Sequence, residues 1–200
     1  YFVIPATLPN YLAGAALAPV GTDHRAFAAS EADVAARTKR LLAVGGKRTV
    51  DDFHRQLGHL AWELCGMSRS SEGLTKLLGE LPALRAEFWA DVNVGGSAAS
   101  LNQSLEKAGR VADFLELAEL MAIDALHRDE SCGGHFREEF QTSEGEALRD
   151  DDRFAYVAAW EWTGEKGNLE PVTSGALPTP VLHKEQLEFE HVHFSQRSYK

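Results

Sequence analysis

Cysteine is nearly absent from this sequence: Cys65 and Cys132 are the only two, and no CxxC pair occurs. Disulfide frameworks need several cysteines, and zinc sites built from cysteine usually contain closely spaced pairs. The scarcity argues against a disulfide-stapled fold and against a structural zinc site. It suits a protein of a reducing compartment.

Long apolar runs are also missing. A helix that crosses a bilayer needs about 20 consecutive apolar residues, and Pro5, Pro9 and Pro19 interrupt the opening of the chain. The opening has no basic residues of the kind that begin a signal peptide. Because the helical pattern starts almost directly after Tyr1, we expect a piece of a larger protein.

Positive charge is in deficit, since 20 Lys and Arg face 30 Asp and Glu and give a formal net charge of -10. Binding to nucleic acid phosphates needs clustered basic residues, and no such cluster occurs. Nucleic acid is therefore not an expected partner. The 200 residues, 44% of them hydrophobic, suit one or two small soluble domains.

Several catalytic and nucleotide-binding motifs are absent as well. No GxGxxG follows a strand pattern, and neither GxxxxGK[ST], GxSxG nor HExxH occurs. The sequence therefore offers no nucleotide-binding fingerprint, no nucleophile elbow and no metalloprotease helix.

A long helix is the strongest pattern present. Apolar residues recur every three or four positions from residue 103 to about 130, which predicts one continuous buried stripe. We expect the helix to end at Gly133 and Gly134, since glycine is common at helix C-termini. The members of the stripe are Leu105, Ala108, Ala112, Leu115, Ala118 or Glu119, Ala122 and Leu126.

Four earlier helices are predicted. The first runs from Ala6 to Leu17, and the second begins at Ser30 with a capping box and continues to Val44. The third follows Thr49, which has Asp52 at the capping-box position. The fourth covers residues 71–92 and contains Pro82, where a kink or a restart is expected because an internal proline costs about 3 kcal/mol.

The pattern changes after Gly134. Residues 135–140, 153–162 and 180–194 read as extended segments. The predicted fold class is therefore mainly α, an antiparallel helical bundle followed by a small β-containing C-terminal tail domain. The expected domains are residues 1–20, the bundle at 21–135 and an α+β tail at 136–200.

A dense polar cluster follows the long helix. Glu130 and His135 flank the glycine turn and are expected to come together, as proton-transfer groups would. The alternative is structural: His127 and Arg128 would complement the negative end of the helix dipole and pair with Glu138 and Glu139. We favour structural support or an interface over catalysis. Cys132 is read as a small packed residue.

Metal binding is not favoured. His183, His191 and His193 form a superficially metal-like set in a highly charged segment, but the pattern fixes no further ligand. The triple aspartate at 150–152 lacks the ligand spacing of a calcium loop and reads as a solvated turn. No metal ligands are predicted.

The segment DALHRDESCGGHFREEF, followed by RFAYVAAWEW and PVLHKEQLEFEHVHFSQRSYK, resembles the C-terminal part of the flavoprotein subunit of bacterial succinate dehydrogenase and fumarate reductase. Its signature R-x-E-S-x-G-x-H, here Arg128, Glu130, Ser131, Gly133 and His135, recurs across a superfamily that includes L-aspartate oxidase. Cys132 stands where many members have arginine. KAGRVADFLELAELMAIDAL and the opening YFVIPATLPNYLAG look similar too, so the resemblance covers nearly the whole chain.

The resemblance implies that the flavin and substrate sites lie before Tyr1. Residues 1–20 would be the last helix of an FAD-binding domain, and FAD would be bound upstream by the complete subunit. No catalytic, cofactor-binding or metal residue is then expected here. The structural or interface candidates are His127, Arg128, Glu130, Ser131, Gly133, His135 and Arg137.

Complete members interconvert succinate and fumarate by hydride transfer to FAD and pass electrons to an iron–sulfur subunit bound to a membrane cytochrome. The resemblance therefore implies as partners the upstream FAD-binding and capping domains, the iron–sulfur subunit and, indirectly, the cytochrome. The expected location is cytoplasmic, peripheral to the inner face of the cell membrane. The alternatives are a free-standing helical interaction module and an L-aspartate oxidase-like fragment.

Overall fold

A computed structural model describes residues 2–15, 18, 20–161 and 180–186 of the chain. These fall into two compact units, residues 1–36 and residues 37–200. In the first unit, helix α1 (Val3–Gly14) begins three residues before the predicted Ala6, and every one of its residues is at least partly exposed. Leu17, the predicted end of this helix, lies outside the described residues.

Helix α2 (Arg25–Val44) starts five residues before the predicted capping residue. Ser30 therefore lies inside the helix, and the predicted capping box with Asp33 is wrong. The reason is local: the alanine-rich sequence before Ser30 has high helix propensity and continues the helix towards its N-terminus.

Helix α3 (Val50–Leu64) has the predicted capping box. The Asp52 amide donates to Thr49 Oγ1 at 3.2 Å, and the Thr49 amide donates to Asp52 Oδ2 at 3.2 Å. Two backbone donors that the helix itself cannot satisfy are thereby paired.

Helix α4 (Ser71–Asp91) continues through Pro82 without a restart, one of the two outcomes predicted for this proline. Its buried leucines explain why the helix tolerates the proline. Leu74, Leu77, Leu81 and Leu84 are all buried on one side, and this burial offsets the lost backbone hydrogen bond.

Helix α5 (Gln103–His127) buries most of the predicted stripe, with Leu115 only 1% exposed, while Leu105 and Leu126 are partly buried against the core. Asn102 caps its first turn by accepting the Leu105 amide at 3.0 Å. The helix ends well before Gly133, because Arg128 already has an extended backbone with ψ 91°. The prediction that the glycine pair ends this helix is wrong.

Two pairs of very short parallel strands tie the helix ends together. β1 (Arg48–Thr49) pairs with β3 (Val92–Asn93), and β2 (Ser68–Arg69) pairs with β4 (Phe136–Arg137). The start of α3 therefore lies beside the end of α4, and the end of α5 lies beside the start of α4. Successive helices in this part of the chain are antiparallel, as expected from their short connections.

The core lies between α3, α4 and α5. Phe53 and Phe88 meet edge to face at 5.3 Å between ring centroids, with Leu77 and Leu115 buried in the same core. At one end of the bundle, the backbone of Gly46 passes so close to Asp91 that an added Cβ would lie 2.0 Å from its carbonyl carbon.

The C-terminal part contains a short helix and an antiparallel hairpin. Helix α6 (Asp151–Phe154) occupies the beginning of the segment predicted to be extended, and β5 (Tyr156–Glu161) pairs with β6 (Val181–Gln186). The remainder of the predicted last strand, from residue 187, lies outside the described residues. The mainly α fold with a small β-containing tail is confirmed. Among the described helices, none is both long enough and apolar enough to cross a membrane.

Candidate functional site

Arg137 is the centre of the polar cluster, which comprises Arg128, Glu130, Ser131, His135 and Arg137. Its side chain is almost fully buried, with 1% exposed. Nη1 donates to the carbonyl oxygens of Ala125 at 2.8 Å and Leu126 at 3.2 Å. These carbonyls belong to the last turn of α5 and have no partner within the helix. Arg137 therefore caps the C-terminus of α5, where a cation also opposes the helix dipole.

The rest of the same guanidinium reaches the start of α4. Nη2 donates to Ser71 Oγ at 2.7 Å, and Nε donates to Glu139 Oε2 at 3.1 Å. The other carboxylate oxygen of Glu139 accepts the Ser71 amide at 2.5 Å, in the first turn of α4. A bonded arginine and glutamate thus hold the negative end of one helix dipole beside the positive end of another.

Ser131 fixes the backbone of Arg137. Its hydroxyl accepts the Arg137 amide at 2.8 Å and donates to the Arg137 carbonyl at 3.1 Å. Its own amide donates to the Leu148 carbonyl at 2.8 Å, and the residue is completely buried. A small side chain with both a donor and an acceptor is needed here.

Glu130 and His135 do not bond to each other, contrary to the expectation from the turn. Glu130, 2% exposed, pairs with Arg128 Nη2 at 2.7 Å and accepts the Asp150 amide at 2.8 Å. His135 Nε2 lies instead 2.9 Å from the Arg128 carbonyl oxygen. They meet Arg128 through different atoms, so they are not arranged as a proton-transfer pair.

Two further predicted pairings are wrong. Glu138 accepts the Ser68 hydroxyl at 2.9 Å, and Glu139 pairs with Arg137, so neither glutamate pairs with Arg128 or His127. The parallel pairing of β2 with β4 places Ser68 opposite Phe136, two residues before Glu138, and so brings the Glu138 carboxylate within reach of the Ser68 hydroxyl. Pairing between strands far apart in sequence therefore sets these contacts.

The glycine pair forms the tight turn of a small hairpin. The backbones of Cys132 and His135 exchange hydrogen bonds of 2.8 and 3.1 Å across Gly133 and Gly134. Gly133 has φ 60°, as a type II′ turn requires at its first central position. Arg69 Nη2 donates to the Gly134 carbonyl at 3.2 Å and holds the turn against β2.

The cluster shifts two titrating groups. Burial is the main reason that the pKa of His135 is lowered, and the positive charges of Arg69, Arg128 and Arg137 lower it further, against the opposing hydrogen bond to the Arg128 carbonyl. Burial alone would raise the pKa of Glu139, but its hydrogen bonds from Ser71 and Arg137 lower it overall.

The sequence matches a protein family described as "Fumarate reductase flavoprotein C-term" over residues 54–199, which contain the whole polar cluster. The fumarate reductase flavoprotein subunit of Proteus vulgaris is 29% identical over 129 residues, which are 64% of this chain and 21% of that protein. The chain belongs to this family.

This flavoprotein C-terminal domain also matches L-aspartate oxidase of Synechocystis sp. (strain ATCC 27184 / PCC 6803 / Kazusa), with 26% identity over 100 residues, 44% of this chain and 18% of that protein. The solved FrdA chain of E. coli quinol fumarate reductase, a mutant form, superposes with a TM-score of 0.69 at 24% identity, and the match covers 90% of this chain and 28% of that one. That likeness supports the fold. The chain spans about a fifth of the length of the sequence relatives that it matches.

A second polar contact of the flavoprotein domain was not anticipated from sequence. His127 Nε2 lies 3.1 Å from Tyr156 Oη, and Trp160 Nε1 donates to Asp124 at 2.6 Å. These bonds attach β5 to the last turns of α5. The alternation of aromatic residues in β5 was the available signal, because it placed Tyr156 and Trp160 on one face.

Beside this contact lies an open groove of about 460 Å³ between α5 and β5, lined by Leu117, Met121, Ala158 and Trp160 among others. The groove is mainly apolar. Its two charged residues already have partners, since Asp124 accepts from Trp160 and Arg128 pairs with Glu130.

Only one of the three metal-like histidines lies among the described residues. His183 lies 2.9 Å from Glu161 on the exposed hairpin, whereas His191 and His193 lie outside the described residues. Asp150 caps α6 by accepting the Arg153 amide at 3.1 Å. Where the structure describes the chain, no group of three metal-ligating residues is found.

Proposed function

We propose that this chain is the structural C-terminal region of a succinate dehydrogenase or fumarate reductase flavoprotein subunit. The observation that carries the proposal is the family match over residues 54–199, together with the internal bonding of the polar cluster inside that match. The cluster uses its charges to fix helix ends and a turn. It would stabilise a scaffold for a flavin enzyme, with hydride transfer to FAD carried out elsewhere in the complete subunit.

The chain covers only part of the length of its relatives, which supports the proposal that other parts of a longer protein carry out the chemistry. In this proposal FAD and the dicarboxylate are bound upstream, residues 1–20 are the last helix of the FAD-binding domain, 21–135 are the bundle and 136–200 are the tail. An iron–sulfur subunit receives the electrons and connects the flavoprotein to a membrane cytochrome. The complex would lie at the cytoplasmic face of the membrane.

The first test is the spectrum of the purified chain. We expect no flavin absorbance and no oxidation of succinate, with the helical content preserved in circular dichroism. Bound FAD together with succinate oxidation by this chain would overturn the assignment of the chemistry to other residues.

The second test is made in the complete subunit. Replacing Glu130 and His135 together by Ala should reduce stability and the yield of assembled complex, while the KM for succinate of the assembled fraction stays close to that of the parent. Replacing the exposed residues Glu63 and His59 of α3 by Ala is the matched control. Unchanged stability, assembly and turnover in the first variant would contradict a structural role.

The match to an L-aspartate oxidase favours a second candidate, a subunit that oxidises L-aspartate and needs no iron–sulfur partner. The complete protein should then reduce its flavin with L-aspartate and not with succinate. Flavin reduction by succinate, with electrons passed to an iron–sulfur subunit, favours the first candidate.

A further inference from the structure

The His135 ring lies where the end of α5 meets the β2–β4 pair. Nε2 is 2.9 Å from the Arg128 carbonyl oxygen, and Arg137 Nη1 donates to the same oxygen at 3.4 Å. The backbone of His135 closes the glycine turn with Cys132. The ring therefore connects the carbonyl of Arg128, the residue directly after α5, to the glycine turn that precedes β4.

Three guanidinium groups from three different elements face this ring: Arg69 from β2, Arg128 from the end of α5 and Arg137 from β4. The nearby carboxylates are committed to other partners. Glu130 pairs with Arg128, and Glu139 pairs with Arg137.

Asp129 approaches Arg137 at 3.8 Å, and Glu138 accepts from the Ser68 hydroxyl. Cys132 is the other titratable side chain of the turn. A proton added to His135 would therefore place a fourth positive charge in a cluster whose carboxylates already bind arginines or a hydroxyl.

The backbone pairing of β2 with β4 beside this ring, here called the seam, is short. The Phe136 amide donates to the Met67 carbonyl at 3.2 Å, and the Glu138 amide donates to the Arg69 carbonyl at 2.9 Å. Strands β2 and β4 have two residues each. Pairs this short can open locally at a free energy below that of global unfolding.

We propose that His135 is a pH-sensitive latch: protonation of its ring releases the glycine turn and β4 from β2 while the core of α3, α4 and α5 stays folded.

The direction of the pH effect follows from the environment of the ring. The folded state lowers the pKa of His135 below its usual 6.5, first through burial and then through the three arginines. Once the seam opens, the ring returns to water and to its usual pKa. Closing is therefore favoured above pH 6.5 and is progressively disfavoured as the pH falls from 6.5 towards the lowered value.

Hydrogen exchange of the 200-residue chain tests this directly. Wild type is compared with His135→Gln at the same pH, because intrinsic exchange rates then cancel. The glutamine amide can still donate to the Arg128 carbonyl but does not titrate near neutrality. At pH 7.5 the Phe136 and Glu138 amides should be protected to a similar degree in both proteins.

At pH 5.0 we expect these two amides to exchange faster in wild type than in the variant, because the ring binds a proton more readily in the open state than in the closed one. Core amides near Leu115 should keep their protection in both. Equal exchange in wild type and variant at pH 5.0 would overturn the latch, and so would loss of core protection in step with the seam. His59→Gln, an exposed histidine, is the control and should behave as wild type.

A second variant keeps the test decisive if His135→Gln does not fold. Arg69→Gln removes one cation facing the ring, so the pKa of His135 should move back towards its usual value and the acid-induced increase in exchange should shrink. An unchanged or larger increase would contradict the proposed electrostatic cause. The outcome does not depend on FAD or succinate chemistry, so it is separable from the proposed function.

Discussion

The centre of the bundle and the buried part of the polar cluster, formed by Glu130, Ser131 and Arg137, are both excluded from water, but they are held together in different ways. Phe53, Phe88 and Leu115 in the centre interact through shape and apolar area. Arg137 and Ser131 in the cluster interact through directed hydrogen bonds. Shortening an apolar side chain in the bundle centre leaves a cavity. Shortening a polar side chain in the cluster leaves buried polar groups without a hydrogen-bond partner.

This difference shows which part of the domain tolerates substitutions least. A cavity in the bundle centre can partly relax by movement of neighbouring side chains, and its cost follows the volume left behind. The helix carbonyl of Ala125 cannot find another donor in the same way, because its hydrogen bond with Arg137 is buried. Removing an atom from the cluster should therefore destabilise the fold more than removing an atom from the bundle centre.

Arg137→Met should have the largest effect. It leaves two carbonyls of α5 without their donor and removes one of the donors to Glu139, and each buried acceptor left without a partner costs about 1 to 3 kcal/mol. The stability of Arg137→Lys should fall between those of wild type and Arg137→Met, because an ammonium keeps the positive charge but cannot reproduce the planar guanidinium fork. Urea unfolding monitored by circular dichroism measures both. A loss below about 1 kcal/mol in Arg137→Met would remove the distinction between cluster and centre.

Leu115→Ala should be comparable or somewhat smaller. The side chain is 1% exposed, and such truncations cost about 2 to 5 kcal/mol. Leu117→Ala on the same helix is the matched control, because Leu117 is half exposed and its loss should stay within about 0.5 kcal/mol. Equal losses at the two positions would show that the predicted stripe is not the buried one.

Ser131→Ala should cost less than either, about 1 to 3 kcal/mol, the range for a buried donor or acceptor left without a partner. The change removes few atoms yet leaves the Arg137 amide unsatisfied. Ser104→Ala, an exposed serine of α5, is the comparison. If the two variants unfold at the same urea concentration, directed bonding in the cluster contributes little.

Glu139→Gln should give the smallest effect, one that depends on pH. The folded state lowers the pKa of Glu139 below its usual 4.5, so its contribution is present above that value and is lost as the pH falls through the lowered one. Because the carboxylate is more than a third exposed, we expect below about 1 kcal/mol. Unfolding curves of wild type and variant should differ at pH 7 and converge at low pH. A difference that persists at low pH would point to packing as the cause.

Local sequence patterns predicted the parts of the fold that depend on local interactions. The capping box of Thr49 and Asp52 and the stripe containing Leu115 are set by residues three or four positions apart, and both are confirmed. The start of α2 was misplaced because two cues competed, and helix propensity outweighed the capping serine. The proline in α4 was compensated by packing that the local pattern does not contain.

The candidate site was predicted as a set of residues but not as a set of contacts. The family signature marked Arg128, Glu130, Ser131 and His135 together, and the structure places them in one cluster. The partners of Arg137, above all Ser71 at the start of α4, come from a distant part of the chain. Two-residue strands such as β2 and β4 are also too short to show the period-two alternation by which strands are predicted.

The two parallel strand pairs have a consequence for the order of folding. Arg48 lies opposite Val92, and Ser68 lies opposite Phe136, so each pair closes a long loop that contains two complete helices. Loop closure lowers the entropy of the chain before two residues of backbone pairing can compensate for it. The helices must therefore dock first. We expect both strand pairs to form late in folding, after the helical bundle has assembled.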